Sequence, residues 1–106
     1  MEEKRFSEMT EYELRQAIAT LNEKAKKAEQ MGMMNEFAVY ERRVLMAKAY
    51  LLNPKDFKKG TTYRLKEGDS RFSLSYLNGY FAWGYRDGGT VLEAVPISLL
   101  EEEGEE

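Results

Sequence analysis

The hydrophobic pattern of the chain changes its period at Asn53-Pro54, and this change limits the possible folds more than any other feature. Before Pro54, apolar residues recur every three or four positions, as they do in amphipathic helices. After Pro54, they alternate in short runs that are separated by turns, as in β-strands. A chain of 106 residues is the size of one domain, so the pattern predicts an α+β fold.

The first helix is predicted to begin at Thr10. Thr10 and Glu13 have the spacing of a capping box, in which each side chain accepts a hydrogen bond from the backbone N–H of the other residue. Gly32 suits the left-handed position that follows the last turn of a helix. Between these signals the apolar residues form one stripe: Leu14, Ala17, Ile18, Leu21, Ala25 and Ala28.

A second helix is predicted from Asn35 to Leu52, because the residue before Pro54 avoids helical dihedral angles. Apolar residues occur on nearly all of its sides, which predicts burial on more than one side. The two helices therefore form an antiparallel hairpin over residues 1–53. The hairpin is similar to one tetratricopeptide unit, but no second copy follows at the required period, which excludes a repeat array.

The strand half contains Asn78-Gly79, a strong signal for a two-residue hairpin turn. A turn at these residues pairs Leu77 with Tyr80 and puts the bulky residues on one face: Phe72, Leu74, Tyr76, Phe81, Trp83 and Tyr85. That face is either the core or an exposed platform for a ligand. The opposite face carries Ser73, Ser75, Ala82 and Gly84. This face is either solvent-exposed or the site of a close contact with another backbone segment.

Further short strands are predicted at residues 61–65 and 90–95, and residues 96–100 are predicted to form a closing turn and a short strand. The fold class that follows is α+β: an N-terminal antiparallel helical hairpin packed on a C-terminal small SH3-like β-barrel, residues 54–100, in one compact unit. Residues 101–106 hold five carboxylates and are expected to form a disordered acidic tail. This tail gives the chain its formal charge of −3, from 16 Lys+Arg and 19 Asp+Glu.

Basic residues concentrate between positions 42 and 66. Such a stretch is either a solvated surface or an electrostatic site for an anionic partner such as nucleic acid. The candidate anion or nucleic-acid contacts are Arg42, Arg43, Lys55, Lys58, Lys59, Arg64 and Lys66.

The chain has no cysteine and no histidine, which excludes disulfides, thiol nucleophiles and histidine-based catalytic or metal sites. From Gly60 to the tail, the strand half offers four carboxylates: Glu67, Asp69, Asp87 and Glu93. The first three of these fall in predicted turns. No phosphate-binding glycine loop is present. We therefore expect no catalytic residues, no cofactor and no metal, and hence no enzyme. We find no signal peptide or apolar run of membrane-spanning length, and expect a cytoplasmic protein without a membrane partner.

Several stretches of the chain closely resemble the YfhH-like family, small uncharacterised proteins of spore-forming Gram-positive bacteria. The resemblance covers residues 4–101 and is carried by Lys27-Ala28-Glu29-Gln30, Met46-Ala47-Lys48-Ala49-Tyr50-Leu51-Leu52-Asn53-Pro54, Ser75-Tyr76-Leu77-Asn78-Gly79, Phe81-Ala82-Trp83-Gly84-Tyr85-Arg86 and Pro96-Ile97-Ser98. It implies a helical hairpin joined to an SH3-like barrel. It implies no activity and no catalytic residues.

The leading hypothesis for function is a non-catalytic interaction module that binds a protein partner or associates with itself. Aromatic residues near strand ends and the methionines of the hairpin turn are the candidate contacts, although methionines at such a turn also serve to fill gaps. These residues are Tyr63, Tyr80, Trp83, Tyr85, Met33 and Met34. The alternative is a nucleic-acid-binding regulatory protein that uses the basic stretch at 42–66.

Overall fold

A computed structural model describes residues 4–66 and 68–102 of the chain. It divides into two compact units, Met1–Leu51 and Leu52–Glu106. The first unit is helical and the second is a β-sheet, so the α+β class is confirmed. The elements are α1 (Glu11–Gln30), α2 (Met34–Ala49), β1 (Thr62–Leu65), β2 (Arg71–Asn78), β3 (Phe81–Arg86), β4 (Leu92–Pro96) and β5 (Leu100–Glu101), with short 3-10 helices at Phe6–Glu8, Pro54–Asp56 and Ile97–Leu99.

The start of α1 confirms the predicted capping box. The backbone N–H of Glu13 donates to the Thr10 hydroxyl at 3.1 Å, and the N–H of Thr10 donates to the Glu13 carboxylate at 3.0 Å. Gly32 follows the helix with a φ of +73°, which is the left-handed conformation expected there. The buried residues of α1 all belong to the predicted stripe: Leu14, Leu21, Ala25 and Ala28.

Helix α2 differs from its prediction in two ways. It ends at Ala49, before Leu52, and Asn53 instead caps the 3-10 helix that follows by accepting the N–H of Lys55. Burial on several sides holds only near its C-terminal end, since Val39 is 55% exposed. The single apolar stripe of α1 covers one face of α2, and Val39 lies off that face. Among the described residues, neither helix is long and apolar enough to cross a membrane.

The second unit is a five-stranded antiparallel sheet with the strand order β4-β3-β2-β1-β5. Neighbouring strands along the chain pair as a meander, and β5 joins the sheet beside β1 through Arg64–Glu101 and Leu65–Leu100. Glu101 is therefore the last residue of a strand, although it belongs to the predicted tail. Residues 103–106 of that tail lie outside the described residues.

The predicted register of the β2–β3 hairpin is wrong. Asn78 pairs with Phe81, so the two turn residues are Gly79 and Tyr80. Gly79 has a φ of +62° and Tyr80 has a negative one, which is the type II′ pattern with glycine in the first turn position. The turn at Asn78-Gly79 required positive φ at both residues, whereas Asn78 remains in the strand.

A β-bulge in β2 also changes which side chains share a face. Leu74 pairs with Gly84 and Tyr76 pairs with Trp83, so Ser75 is an extra residue on β2. Because of it, Leu74 points to the interior while Tyr76 points outward. The interior of this unit is built from aliphatic and aromatic residues of all five strands and the last 3-10 helix: Tyr63, Leu65, Phe72, Leu74, Ala82, Val95, Ile97, Leu99 and Leu100.

Gly84 lies on this inner face, where only hydrogen fits. A Cβ at Gly84 would collide with the carbonyl oxygen of Ser73 and would lie 2.9 Å from Cε2 of Phe72. The face predicted to be solvent-exposed or to allow a close backbone approach divides between the two alternatives: Ala82 and Gly84 are buried, with the close approach at Gly84, whereas Ser73 and Ser75 are exposed. The predicted face of bulky residues divides as well: Phe72 and Leu74 lie in the interior, as the core alternative expects. Because β3 turns Ala82 and Gly84 inward and β2 carries a bulge, the other four bulky residues lie on the outward side: Tyr76, Phe81, Trp83 and Tyr85.

Candidate functional site

The outward side of the sheet carries a group of aromatic and aliphatic side chains, which we call the outer aromatic face. Phe81, Trp83 and Tyr85 alternate along β3 with the inward Ala82 and Gly84. Cross-strand pairing adds one residue from each neighbouring strand, Tyr76 on β2 and Leu92 on β4. The outer aromatic face thus consists of Tyr76, Phe81, Trp83, Tyr85 and Leu92.

Tyr76 and Trp83 are the centre of this face. Their rings are parallel within 3°, with centroids 5.9 Å apart, and Tyr76 is 40% exposed. Phe81 and Leu92, at 38% and 39% exposure, lie on either side of the pair. Alternate residues of a strand are about 6.6 Å apart, so the three aromatic residues of β3 extend over about 13 Å. Such a row of half-exposed rings can hold an extended apolar ligand.

Tyr80 and Tyr63, two of the candidate contacts selected from the sequence, lie outside the outer aromatic face to which Trp83 belongs. Tyr80 is half-buried in the β2–β3 turn, where its carbonyl accepts the N–H of Ile97 at 3.0 Å. Tyr63 is only 3% exposed, and its hydroxyl accepts the backbone N–H of Lys58 at 2.9 Å. Its ring also packs against Phe57, with centroids 5.7 Å apart. Tyr63 is thus a core residue that fixes the segment before β1, and its role as a contact for a partner stays a prediction.

Met33 and Met34 belong to the helical unit. Met33 is 39% exposed and Met34 is 55% exposed, and the neighbouring Met31 is 63% exposed. The structure therefore places these methionines on the surface at the turn between α1 and α2. The role that the sequence suggests for them, as contacts for a partner, stays a prediction.

The candidate basic residues are divided between the two units. Arg42 and Arg43 are exposed on α2, and the guanidinium carbon of Arg43 lies 5.9 Å from the centre of the Phe6 ring. Lys55, Lys58 and Lys59 are exposed in the segment before β1, and Lys66 directly follows β1.

Arg64 differs from the other candidate cations in its place on the sheet. It pairs with Arg71 on β2 and with Glu101 on β5. Two residues earlier on β1, Thr62 pairs with Ser73, which in turn pairs with Tyr85 of the outer aromatic face. Arg64 and Arg71 therefore lie on the outward side of the sheet, at the end of the outer aromatic face.

Two of the described carboxylates of the sheet unit, Asp87 and Glu93, have structural partners. Asp87 adopts a φ of +53° after β3, and its carboxylate accepts the N–H of Arg71 at 2.9 Å. This hydrogen bond, together with one from Ser70, lowers the pKa of Asp87. Glu93 forms an ion pair with Arg86 at 3.2 Å. Within residues 4–66 and 68–102, no three acidic side chains come together as a metal site, and Glu67 lies outside this description.

Tyr76, Phe81 and Leu92 belong to the outer aromatic face, although none of them is among the candidate contacts selected from the sequence. The signal that could have found them is Gly84. A glycine inside a strand marks a place where another backbone comes close, and here that contact sets the inward parity of β3. Its neighbours Trp83 and Tyr85 then have to point outward, together with the residues paired to them.

The helical hairpin, the antiparallel sheet and the exposed aromatic row together define a small α+β protein with a candidate surface for binding. The chain belongs to the family described as "Protein of unknown function (DUF1811)", whose model matches residues 4–101. It is 57% identical over 101 residues to the uncharacterized protein YfhH of Bacillus subtilis (strain 168), covering 94% of this chain and 97% of that protein. The resemblance to the YfhH-like family is thereby confirmed.

Proposed function

We propose that this protein is a non-catalytic interaction module of the cytoplasm that binds a protein partner, or a second copy of itself, on the outer aromatic face. The observation that carries the proposal is the exposed Tyr76–Trp83 stack. Large aromatic side chains supply most of the binding energy at protein interfaces. In a monomer such a half-exposed cluster keeps apolar surface in contact with water, and a partner that covers it removes this surface from water.

The neighbouring residues favour an extended segment of a partner chain as the ligand. Pro96 and Ala94 lie beside Phe81 and Trp83 on β4, so the row continues across the sheet without a charged residue. A polyproline II segment repeats about every 9 Å, which fits within the roughly 13 Å between Phe81 and Tyr85. Aromatic-lined grooves on small β-folds recognise such segments without forming covalent bonds.

We propose further that the sheet curls into an SH3-like barrel. Pro96 ends β4 at one edge and Leu100 begins β5 at the other, and four residues span at most about 14 Å. In a flat sheet the two edge strands would be about 19 Å apart. The bulge at Ser75 supplies a bend in β2. Methyl–methyl nuclear Overhauser effects between Val95 and Leu100 test this closure, and their absence would indicate an open sheet.

Site-specific photo-crosslinking tests the binding function. With p-benzoylphenylalanine in place of Phe81, we expect crosslinked products in cells, and we expect Trp83→Ala in the same chain to remove them. A product at twice the mass of the chain would identify self-association. The matched control carries the crosslinker at Tyr12, an exposed aromatic residue of α1. Crosslinking that is no stronger at Phe81 than at Tyr12, or that survives Trp83→Ala, would contradict the proposal.

The second candidate function is nucleic-acid binding, and the position of Arg64 and Arg71 favours it. Two guanidinium groups at the end of an aromatic row could bind phosphates while the rings stack on bases. Affinity for a single-stranded oligonucleotide should then fall steeply between 50 and 200 mM salt, roughly as counterion release requires. Arg64→Gln should weaken binding and Lys26→Gln, a matched change on α1, should not. Absence of any mobility shift at low salt would rule out this candidate.

A further inference from the structure

Strand β4 forms one edge of the sheet, since the order of the described strands begins with it. At its end, the backbone N–H of Ile97 donates to the carbonyl of Tyr80 at 3.0 Å, which makes these two residues a hydrogen-bonded pair of the β3–β4 ladder. In an antiparallel ladder such pairs alternate with pairs whose N–H and C=O groups point away from each other. By this alternation, Leu92 and Ala94 direct their backbone groups away from β3, to the side of β4 where no described strand lies.

Pro96 limits this open edge at one end. It has no N–H to donate. It is also the N-cap residue of the 3-10 helix Ile97–Leu99, so its carbonyl accepts the first hydrogen bond of that helix. The donors and acceptors that remain on the open edge belong to Leu92 and Ala94, and both residues are exposed.

The side chains of the open edge are apolar on the outward side of the sheet. Leu92 and Ala94 are paired with aromatic residues of β3 and lie beside them. Glu93 is the charged residue of β4, and it lies on the inward side in an ion pair with Arg86 at 3.2 Å. Edge strands of natural proteins carry charges or prolines that prevent pairing with another chain. In β4 the charge is neutralised and the proline protects one end only.

We propose that β4 pairs with β4 of a second copy of this chain, antiparallel and centred on Glu93, to form a two-fold symmetric dimer. Leu92 of each copy then lies opposite Ala94 of the other, and each of these pairs exchanges two backbone hydrogen bonds. Every backbone donor and acceptor that Leu92 and Ala94 direct to the open side is used. A register centred on Ala94 would place Leu92 opposite Pro96, which has no N–H and a carbonyl already engaged.

The side chains favour a second copy as the strand that covers this edge. On the outward side the large Leu92 meets the small Ala94 of the other copy, so the surfaces interdigitate. On the inward side each Glu93 brings Arg86 as its counter-ion, which opposes the repulsion between the two facing carboxylates. Pairing stops at two copies, because β4 is then covered and the other edge strand, β5, is two residues long.

The dimer goes beyond the proposed function, because it depends on the backbone of β4 and can form whether or not a partner binds the rings of the outer aromatic face. The two functions therefore fail separately. Dimerisation that is lost in Tyr76→Ala but kept in an edge variant would assign self-association to the rings and would refute the pairing of β4.

Sedimentation velocity over a dilution series of the full chain measures the dimer. We expect a monomer–dimer equilibrium with a dissociation constant in the micromolar range, as is usual for a small interface. Ala94→Lys should weaken it about tenfold or more, because two ammonium groups meet near the two-fold axis. Ser73→Lys makes the same charge change on β2, which is paired on both sides, and should alter it less than about twofold.

Far-UV circular dichroism verifies that both lysine variants fold. A chain that stays monomeric up to about 1 mM would refute the proposal, since the expected dimer is populated at that concentration. Equal losses for Ala94→Lys and Ser73→Lys would refute it as well, because the effect would then come from charge and not from the edge.

Amide hydrogen exchange tests the edge residue by residue. Leu92 and Ala94 should exchange quickly in dilute protein and slowly in concentrated protein, because their N–H groups are bonded only in the dimer. Glu93 and Val95 donate to β3 and should be protected at both concentrations. A dimer that leaves Leu92 and Ala94 unprotected would overturn the proposal, since another surface would then form the contact.

A single introduced cysteine tests the register, because the chain has none of its own. Two residues that face each other without hydrogen bonds have Cα atoms about 4.5 Å apart, which a disulfide can span. Glu93→Cys should therefore form a disulfide-linked dimer when diamide oxidises the two thiols, and Ser73→Cys should form far less. Faster linkage of Ala94→Cys than of Glu93→Cys would overturn the proposed register.

Discussion

Tyr76 and Trp83 are opposite each other on β2 and β3, with their rings parallel and 5.9 Å apart, on the outward side of the sheet. Their pairing follows directly from the bulge at Ser75, because an uninterrupted β2 would turn Tyr76 to the same side as Leu74. The bulge thus removes one aromatic residue from the interior and completes an exposed pair with the single tryptophan of the chain.

Removal of one ring of this pair should be visible at the other. We expect Tyr76→Ala to lower the free energy of unfolding by about 1 kcal/mol, the usual contribution of an aromatic pair. Acrylamide quenching of Trp83 fluorescence should increase because the ring loses its cover. Tyr12→Ala, which removes an exposed tyrosine from α1, should leave the quenching unchanged. Unchanged quenching in Tyr76→Ala would show that the stack does not persist in solution.

Gly84 should tolerate no side chain. In Gly84→Ala, the added methyl group meets the Ser73 carbonyl and the Phe72 ring, so we expect a loss of about 3 kcal/mol in urea unfolding. Gly88→Ala is the matched control, since Gly88 has a φ of +73° but open space around it. That variant should lose only about 1 kcal/mol from the left-handed backbone. If the two losses are equal, the close approach of β2 and β3 is not what selects glycine.

The Thr10 cap should stabilise the start of α1 through its hydroxyl. We expect Thr10→Ala to cost about 1 kcal/mol in thermal or urea unfolding, because the N–H of Glu13 then loses its acceptor. Thr10→Ser keeps an acceptor at the same place and should retain most of the stability. Equal losses for alanine and serine would assign the effect to packing of the threonine methyl group.

Asp87 should make stability depend on pH in the acid range. Its pKa is lowered in the folded state, chiefly by the N–H of Arg71, so its contribution is complete above the ordinary range near 4. The contribution is lost as the pH falls through the lowered pKa, because the unfolded chain takes up the proton first. Asp87→Asn keeps an acceptor and tolerates the positive φ, but it cannot titrate.

Urea unfolding at a series of pH values between 6 and 2 measures this dependence. The slope of unfolding free energy against pH should be smaller for Asp87→Asn than for the unchanged chain. An identical slope in the two proteins would show that the hydrogen bond from Arg71 does not favour the charged form.

The outer aromatic face could be predicted only in part. Trp83 and Tyr85 are recognisable as candidate contacts because aromatic residues alternate with small ones in this stretch. Tyr63 is also an aromatic residue of a short predicted strand, yet it lies in the interior, where its hydroxyl accepts the backbone N–H of Lys58. Burial of a strand residue depends on which face its neighbours cover, and period-two alternation identifies the two faces without telling which one is covered.

By itself, the sequence determined the features that depend on residues close together in the chain. Local dihedral preferences and side-chain spacing account for the capping box at Thr10 and for the glycine after α1. They also account for the change from helices to strands and for the succession of strands along the chain. The tertiary structure alone decided the turn at Gly79-Tyr80, the bulge at Ser75 and the outward direction of Trp83. The physical reason is packing: Phe72, Leu74 and Ile97 fill the interior, and only Ala82 and Gly84 leave β3 close enough to cover them.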